Sequence, residues 1–373
     1  MIKLLHTADW QIGKLFGQFE PDEAALLAEA RFTTVARLAT LASTEGIDLI
    51  LVAGDVFDAQ GVADKTIHRL FNAMAGFAGP WVMIPGNHDA GLAESVWTRA
   101  ERIGAIPANV TVCLKAEPLI LDTPAVALLP APLTQRITYT DLTEWFAGAE
   151  TPAGLPRIGL AHGSVQGILA EGIDSSNPIA AGRAEQGRLD YLALGDWHGT
   201  KQVDARCWYA GTPETDRFRA NDSGQSLLVE LDGPGTLPRV MPITTGQFRW
   251  HDLSVALHVS SDVDQLVECI SAFGPADVIQ LSLGGHTDLA GHRRLADAIG
   301  KARGRARSLL ADLSALRLEP TDEDIAALHA DGYLGEVIGE LQAGQDGPDA
   351  DVARDALALL AGILDEQRAG AAR

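Results

Sequence analysis

Five short apolar runs in the first 200 residues each end on side chains that bind metals. Ile2-Lys3-Leu4-Leu5-His6-Thr7 leads to Asp9-Trp10-Gln11, and Leu49-Ile50-Leu51-Val52-Ala53-Gly54 leads to Asp55. Trp81 to Gly86 leads to Asn87-His88-Asp89, Arg157 to Ala161 leads to His162, and Leu192 to Gly195 leads to Asp196-Trp197-His198. Runs this short and apolar suit buried strands. A sheet of such strands gathers the residues that follow them along one edge, so oxygen and nitrogen donors are expected to collect in one place. The pattern points to chemistry at a metal centre.

Between the runs the period changes. Residues 23–45 suit a helix, with Leu26, Leu27, Ala30, Val35, Leu38 and Leu41 recurring near every 3.6 residues. Residues 64–77 and 94–103 are shorter helix candidates, each after a ligand loop. This alternation predicts an α/β fold, a layered sheet sandwich flanked by helices. Turn-rich strands near 203–245 extend the sheet, which sets a first domain at 1–245. A capping domain over 246–319 follows, small and α+β in pattern, with strands near 253–259, 278–283 and 308–318. Helices open near Ser261-Asp262 and over 288–302. Residues 320–373 form a C-terminal helical segment, beginning at the acidic helix start Pro320-Thr321-Asp322-Glu323-Asp324. Its last helix, 350–368, carries an apolar stripe of Val352, Leu357, Leu360, Ile363 and Leu364, which either packs on its own domain or docks on a partner.

A chain of 373 residues exceeds what one core usually fills. No apolar run reaches the roughly 18 residues of a membrane span, and the chain enters its first strand with no room for a signal peptide. Cys113, Cys207 and Cys269 lie far apart and odd in number, as reduced thiols of a cytoplasmic protein would. The net charge of −21 argues against broad attraction to nucleic acid. That charge is uneven. Residues 310–373 hold 14 acidic and 4 basic side chains, whereas Arg293, Arg294, Lys301, Arg303, Arg305 and Arg307 face only Asp297.

The ordered set Asp9-x-Gln11, Gly54-Asp55-Val56-Phe57-Asp58, Gly86-Asn87-His88-Asp89, His162-Gly163 and Gly195-Asp196-x-His198 resembles the calcineurin-like metallophosphoesterases. Within them, His6-Thr7-Ala8-Asp9-Trp10 and Gly54 to Asp58 resemble the DNA-repair exonuclease subunits of the SbcD type, and Tyr209-Ala210-Gly211-Thr212-Pro213-Glu214 is similar to a loop of that group. A lone Asp after a strand is usually a turn or a helix cap; five motifs in order are not. The resemblance implies two divalent ions, with Asp55 bridging them, Asp9 and His198 on the first, and Asn87, His162 and Asp196 on the second. His88 would stabilise the transition state or protonate the leaving oxygen, Asp89 would orient it, and Asp58 would back the ligands. His6 supports its loop, and His68, His251, His258, His286, His292 and His329 are structural.

The chemistry needs these residue types. Phosphodiester hydrolysis puts charge on non-bridging oxygens and requires an activated water, and two ions roughly 3.5–4 Å apart serve both needs. Two departures stand out. Gln11 replaces a histidine of the family pattern, and a neutral amide oxygen is the weaker donor for most transition metals. Asp196 replaces another histidine and adds a third carboxylate beside Asp9 and Asp55. That shift favours manganese first and magnesium second over softer ions.

Three functions follow as expectations. The first is a DNA exo- or endonuclease subunit, which by resemblance works with a separate coiled-coil SbcC-like ATPase and forms homodimers. The second is a phosphatase or phosphodiesterase on a small phosphoester, and the third a non-catalytic scaffold for the ATPase. The chain carries no Walker-type glycine loop, so an ATPase is another polypeptide. Arg206, Arg217 and Arg219 fall near the presumed active edge in sequence. Trp10 and Trp197 either wall the pocket or pack beneath it. Trp97 or Phe71, if exposed, would mark a dimer surface.

Overall fold

The computed structural model describes residues 1–168, 176–328 and 332–371, so His329 lies outside the described residues. They form two compact units, Met1–Phe248 and Arg249–Arg373.

The first unit is built on two six-stranded sheets. One has the order Arg239–Thr244, Gln225–Leu231, Ile2–Thr7, Leu49–Ala53, Trp81–Ile84 and Val110–Val112. The other runs Lys201–Gln202, Cys207–Tyr209, Tyr191–Gly195, Arg157–His162, Ala125–Ala131 and Leu119–Asp122. Successive side chains of a strand point to opposite faces, and here both faces are covered. Leu4, Leu49, Leu51 and Val82 meet Val126, Leu128, Ile158 and Leu160 between the sheets. Leu5, Ile50, Val52 and Met83 face the helices instead, against Val35, Leu38, Ile67, Leu70, Phe71 and Trp97. Leu129, Leu192 and Leu194 do the same on the far side with Phe146, Ala184 and Leu189. Double burial explains why these strands read as unbroken apolar runs rather than alternating ones.

Helices Pro21–Thr44, Asp64–Ala73 and Val96–Arg102 lie where the period predicted them. Trp97 and Phe71 are both buried and mark no dimer surface. Pairing of Thr7 with Val52, Ala53 with Ile84, and Gly195 with His162 brings the carboxyl ends of the central strands level within each sheet.

The second unit is a three-stranded parallel sheet, Arg249–Leu257, Asp277–Thr287 and Ser308–Leu318, with crossover helices Ser260–Ser271 and Leu289–Arg303. Its core joins Leu257, Val263, Leu266 and Ile270 to Ile279, Leu281, Leu295 and Ile299. On the helix Ala350–Ala371, Leu357 and Ala361 are buried, and Ala361 shares a small cluster with Leu289 and Leu328. Val352 and Ile363 of its stripe stay exposed. The basic stretch is partly neutralised within the unit: Arg294 pairs with Asp264 and Lys301 with Asp297. No helix among the described residues is long and apolar enough to cross a membrane.

Candidate metal centre

The carboxyl ends of the strands carry an unusual backbone. Asp9, Gln11, Asp55 and Asp196 have φ of 53°, 49°, 53° and 102°, the left-handed region. Each such residue costs about 1–3 kcal/mol and persists only where its surroundings hold it, and here they do. Asp9 N donates to Gly54 O and Gln11 N to Asp55 O, both at 3.0 Å, lacing the first two loops together. Arg31, buried in the first helix, donates to Trp10 O, Asp9 O, Glu214 O and Thr212 Oγ1.

Two glycines allow the side chains to close in. A Cβ on Gly54 would stand 2.4 Å from His162 Nδ1, and one on Gly86 would stand 2.2 Å from Asp55 Oδ1.

Asp9, Asp55 and His162 are buried, and their donor atoms all lie within 4.8 Å of one another. His162 Nδ1 is 2.8 Å from Ala53 O, which leaves Nε2 facing the cluster. Nε2 lies 3.6 Å from Asp55 Oδ1 and 3.7 Å from Asp196 Oδ1. It is also 3.0 Å from Asn87 Oδ1. With its amide turned over, Asn87 would donate to both Asp55 oxygens at 3.0 and 3.1 Å, so the charge filling the pocket decides which end faces inward. Gln11 directs Nε2 at Asp55 Oδ2, 2.9 Å away.

The electrostatics match the crowding. Burial raises the Asp9 pKa to about 6 against the pull of His198 and His162, with Asp55 and Asp196 adding to the rise. Burial also raises that of Asp196. For His162 burial acts downward, but Asp55, Asp9 and Asp196 outweigh it and push its pKa up to about 9. Buried carboxylates that crowd together and draw a proton onto a neighbouring imidazole are short of positive charge. Their oxygen and nitrogen donors suit a divalent metal ion, so the residues fit such a group.

The remaining predicted residues divide. His198 is buried, its Nδ1 3.1 Å from Asp216 Oδ2, and it stands outside the group of three. His88 is 35% exposed, with Nδ1 2.8 Å from the Asp58 carbonyl and Nε2 4.0 Å from Asp55 Oδ2. Asp58 therefore holds His88, and through its backbone. Asp89 does something else: its carboxylate accepts from Val56 N, Phe57 N and Gly86 N, shaping two loops while buried. Burial raises its pKa to about 7. His6 lies under the sheet edge, bonded to the Tyr191 hydroxyl at 2.8 Å, and burial lowers its pKa to about 3. Trp10 packs beneath the pocket with Nε1 on Thr7 Oγ1. Arg219 and Lys201 stack on Trp197.

Arg206 corrects an expectation. It precedes the strand Cys207–Tyr209 and donates to Asp190 O, Gly235 O and Thr236 O, at the amino ends of the strands and away from the cluster.

Sequence reasoning missed Arg31 and Asp216. Arg31 interrupts the apolar stripe Leu27, Ala30, Val35, Leu38, and a charge on a core-facing stripe was the available signal. Asp216 lies two residues beyond the loop Tyr209 to Glu214. Its carboxylate is buried, but the charge of His198 and its hydrogen bond, with Arg31 and Lys14 behind them, hold its pKa well below the ordinary range.

Residues 2–231 match the calcineurin-like phosphoesterases, and that span contains every residue of the cluster. The chain belongs to this family. It is 36% identical to the D subunit of nuclease SbcCD from Rhodobacter capsulatus over 95 residues, 24% of this chain and 22% of the relative. It is 34% identical to the D subunit of nuclease SbcCD from Bacillus subtilis over 93 residues, again 24% and 22%. The matched segment thus spans about a fifth of each of these relatives. The solved structure of TT1561 of Thermus thermophilus aligns with 65% of this chain and 99% of its own, at a TM-score of 0.43 and 11% identity.

Proposed function

We propose that this chain is a metal-dependent phosphodiesterase that cleaves DNA, working as the nuclease subunit beside a separate coiled-coil ATPase. The observation that carries the reading is the convergence of Asp9 and Asp55, both on left-handed backbone, with His162 at the end of its strand. Asp9, Asp55, Asn87, His162 and Asp196 would hold divalent cation, with Gln11 and His198 at the pocket's other side. Bound there, manganese or magnesium supplies positive charge for the phosphate oxygens and lowers the pKa of a water. His88, held at Nδ1 by Asp58 O, turns Nε2 toward Asp55 and so can carry a proton to the leaving oxygen. Asp89 keeps the loops of Asp55 and Asn87 in register. The partial likeness to two nuclease subunits supports DNA as substrate. The acidic C-terminal helices are the proposed surface for the ATPase.

A second reading, hydrolysis of a small phosphoester, is favoured by the net charge of −21. The deciding assay is hydrolysis of linear double- and single-stranded DNA with manganese, for the wild type, His88→Ala and Asp55→Asn. Cutting that both substitutions abolish is the expected result. A chain that hydrolyses a chromogenic phosphodiester but leaves DNA whole belongs to the second reading.

A further inference from the structure

A chain of net charge −21 repels a nucleic-acid strand unless cations stand locally beside the cleavage site. Four stand around His198. Lys14 and Arg217 both pair with Asp216, the carboxylate that holds His198. Lys201 and Arg219 lie over Trp197, the residue between Asp196 and His198, with Nζ 5.6 Å and Cζ 4.6 Å from the ring centroid. Arg219 belongs to the same loop as Arg217, its backbone N donating to Arg217 O at 3.0 Å. The four differ in what they have left to give. Lys14 and Arg217 are answered by Asp216, and Lys201 donates Nζ to Ile168 O at 3.2 Å. Arg219 is exposed, and among the described residues its side chain has the Trp197 ring but no carboxylate or carbonyl. Other exposed arginines, Arg239, Arg249, Arg294 and Arg354, pair with carboxylates. A stacked guanidinium uses its face, so its N–H groups stay available along the edge. Trp197 is itself seated against the cluster of Phe146, Leu192 and Tyr209, which makes it a firm support.

We propose that Arg219, stacked on Trp197, binds the phosphate next to the one being cleaved and so selects a nucleic-acid strand over a small phosphoester. The inference rests on the nuclease reading above and names the residues that make the distinction. A small phosphoester brings one phosphate, which the metal centre takes. A strand brings a second, and the loop 216–219 with Trp197 puts an unanswered guanidinium one residue along the chain from Asp196 and His198. Its paired N–H groups match two phosphate oxygens. Because Arg219 lies on the ring face, Trp197 supports a cation there and is not a platform for a stacked base. Contact is therefore with the backbone of the strand and carries no sequence preference.

The test is a competition. The full chain with manganese hydrolyses the chromogenic phosphodiester bis(p-nitrophenyl) phosphate, while either an oligonucleotide or inorganic phosphate competes for the site at several salt concentrations. The inhibition constant of the oligonucleotide reads strand affinity whether or not the strand is cut. Arg219→Ala should raise that constant about 10-fold, the low end for a charge-assisted hydrogen bond at an exposed position, and raise that of inorganic phosphate less. It should also lower the slope of log affinity against log salt by about one, the loss of one phosphate contact. Arg219→Lys should recover the slope but only part of the affinity, because an ammonium keeps the charge without the stacking. The double variant Trp197→Leu/Arg219→Ala should be no worse than Trp197→Leu alone, since the ring acts through the guanidinium. An unchanged salt slope in Arg219→Ala, or an equal loss for oligonucleotide and phosphate, would overturn the inference and leave the nuclease reading standing. Additive losses in the double variant would overturn the role of Trp197. A wild type that hydrolyses the diester and is not inhibited by oligonucleotide would overturn the nuclease reading and the inference with it. Manganese content and circular dichroism of each variant separate a lost strand contact from a lost centre or fold, and the two exposed Arg219 variants decide alone if Trp197→Leu loses its metal.

Discussion

The His162 and His198 sides of the pocket solve the same problem differently. Each must fix one ring nitrogen so that the other faces inward. His162 is fixed by a backbone carbonyl, Ala53 O, and walled by glycines that leave no room for a methyl group. His198 is fixed by a side chain, Asp216, itself held by Lys14 and Arg217. A ring held by backbone is set by the fold, whereas one held by side chains can be retuned by single substitutions.

The largest expected effect comes from Arg31→Met. It strands Asp9 O, Trp10 O and Glu214 O and loosens the loop that carries Asp216. Loss of a buried charged partner of this kind costs about 3–5 kcal/mol, to be read in urea unfolding. Unchanged unfolding would mean that the His198 side does not depend on Arg31.

Gly54→Ala attacks the other side. Overpacking costs about 1–3 kcal/mol, and the left-handed backbone at φ 89° makes the change worse. Manganese retention should be lost with it. Retention at wild-type level would show that the His162 side is less rigid than its glycines imply.

Asp216→Asn should be gentler, leaving the fold intact while removing the charge behind His198. A 10- to 100-fold fall in activity is expected, about the effect of losing a partner that orients a ligand. Equal effects of Asp216→Asn and Gly54→Ala on unfolding would erase the distinction between the two sides.

The sides should also part with pH. The folded pKa of His162 lies at about 9, above its ordinary 6.5. Its contribution to the stability of the metal-free chain is therefore complete below about pH 6.5 and lost as pH rises through 9. Asp9, raised from 3.8 to about 6, acts with the same sign over a lower range. Asp216 has the opposite sign, its contribution being lost only in acid below the ordinary carboxylate range. The melting temperature of the metal-free chain should fall between pH 6.5 and 9. Saturating manganese should reverse the slope, because metal displaces those protons. Parallel slopes with and without manganese would remove His162 from the metal site.

The smallest effect is expected far from either side. Arg294 and Asp264 pair on the exposed surface of the second unit, so Arg294→Ala should cost about 0.2–1 kcal/mol. A larger loss in thermal unfolding would mean that this basic helix is more than a solvated face.

The strands were legible because doubly buried strands announce themselves as unbroken apolar runs, and the next polar residue then marks the sheet edge. The helices were legible from their period. Contacts distant in sequence were not. Arg31 meets Thr212 across 181 positions, and no local pattern encodes that meeting. Arg206 shows that nearness to a motif along the chain is not nearness at the edge, because it sits at the start of its strand, the end opposite the cluster. Asp89 was expected by resemblance to orient His88, but its carboxylate accepts from Gly86 N of its own loop and from Val56 N and Phe57 N of the loop after Asp55.

The left-handed backbone at Asp9, Gln11, Asp55 and Asp196 also restricts which future versions of this centre are reachable. Among residues with side chains, aspartate, asparagine and histidine tolerate that conformation best, and β-branched residues hardly at all. Mutation at these four sites therefore draws on a short alphabet made mostly of metal donors. Drift is filtered toward exchanging one donor for another before it can erase the centre.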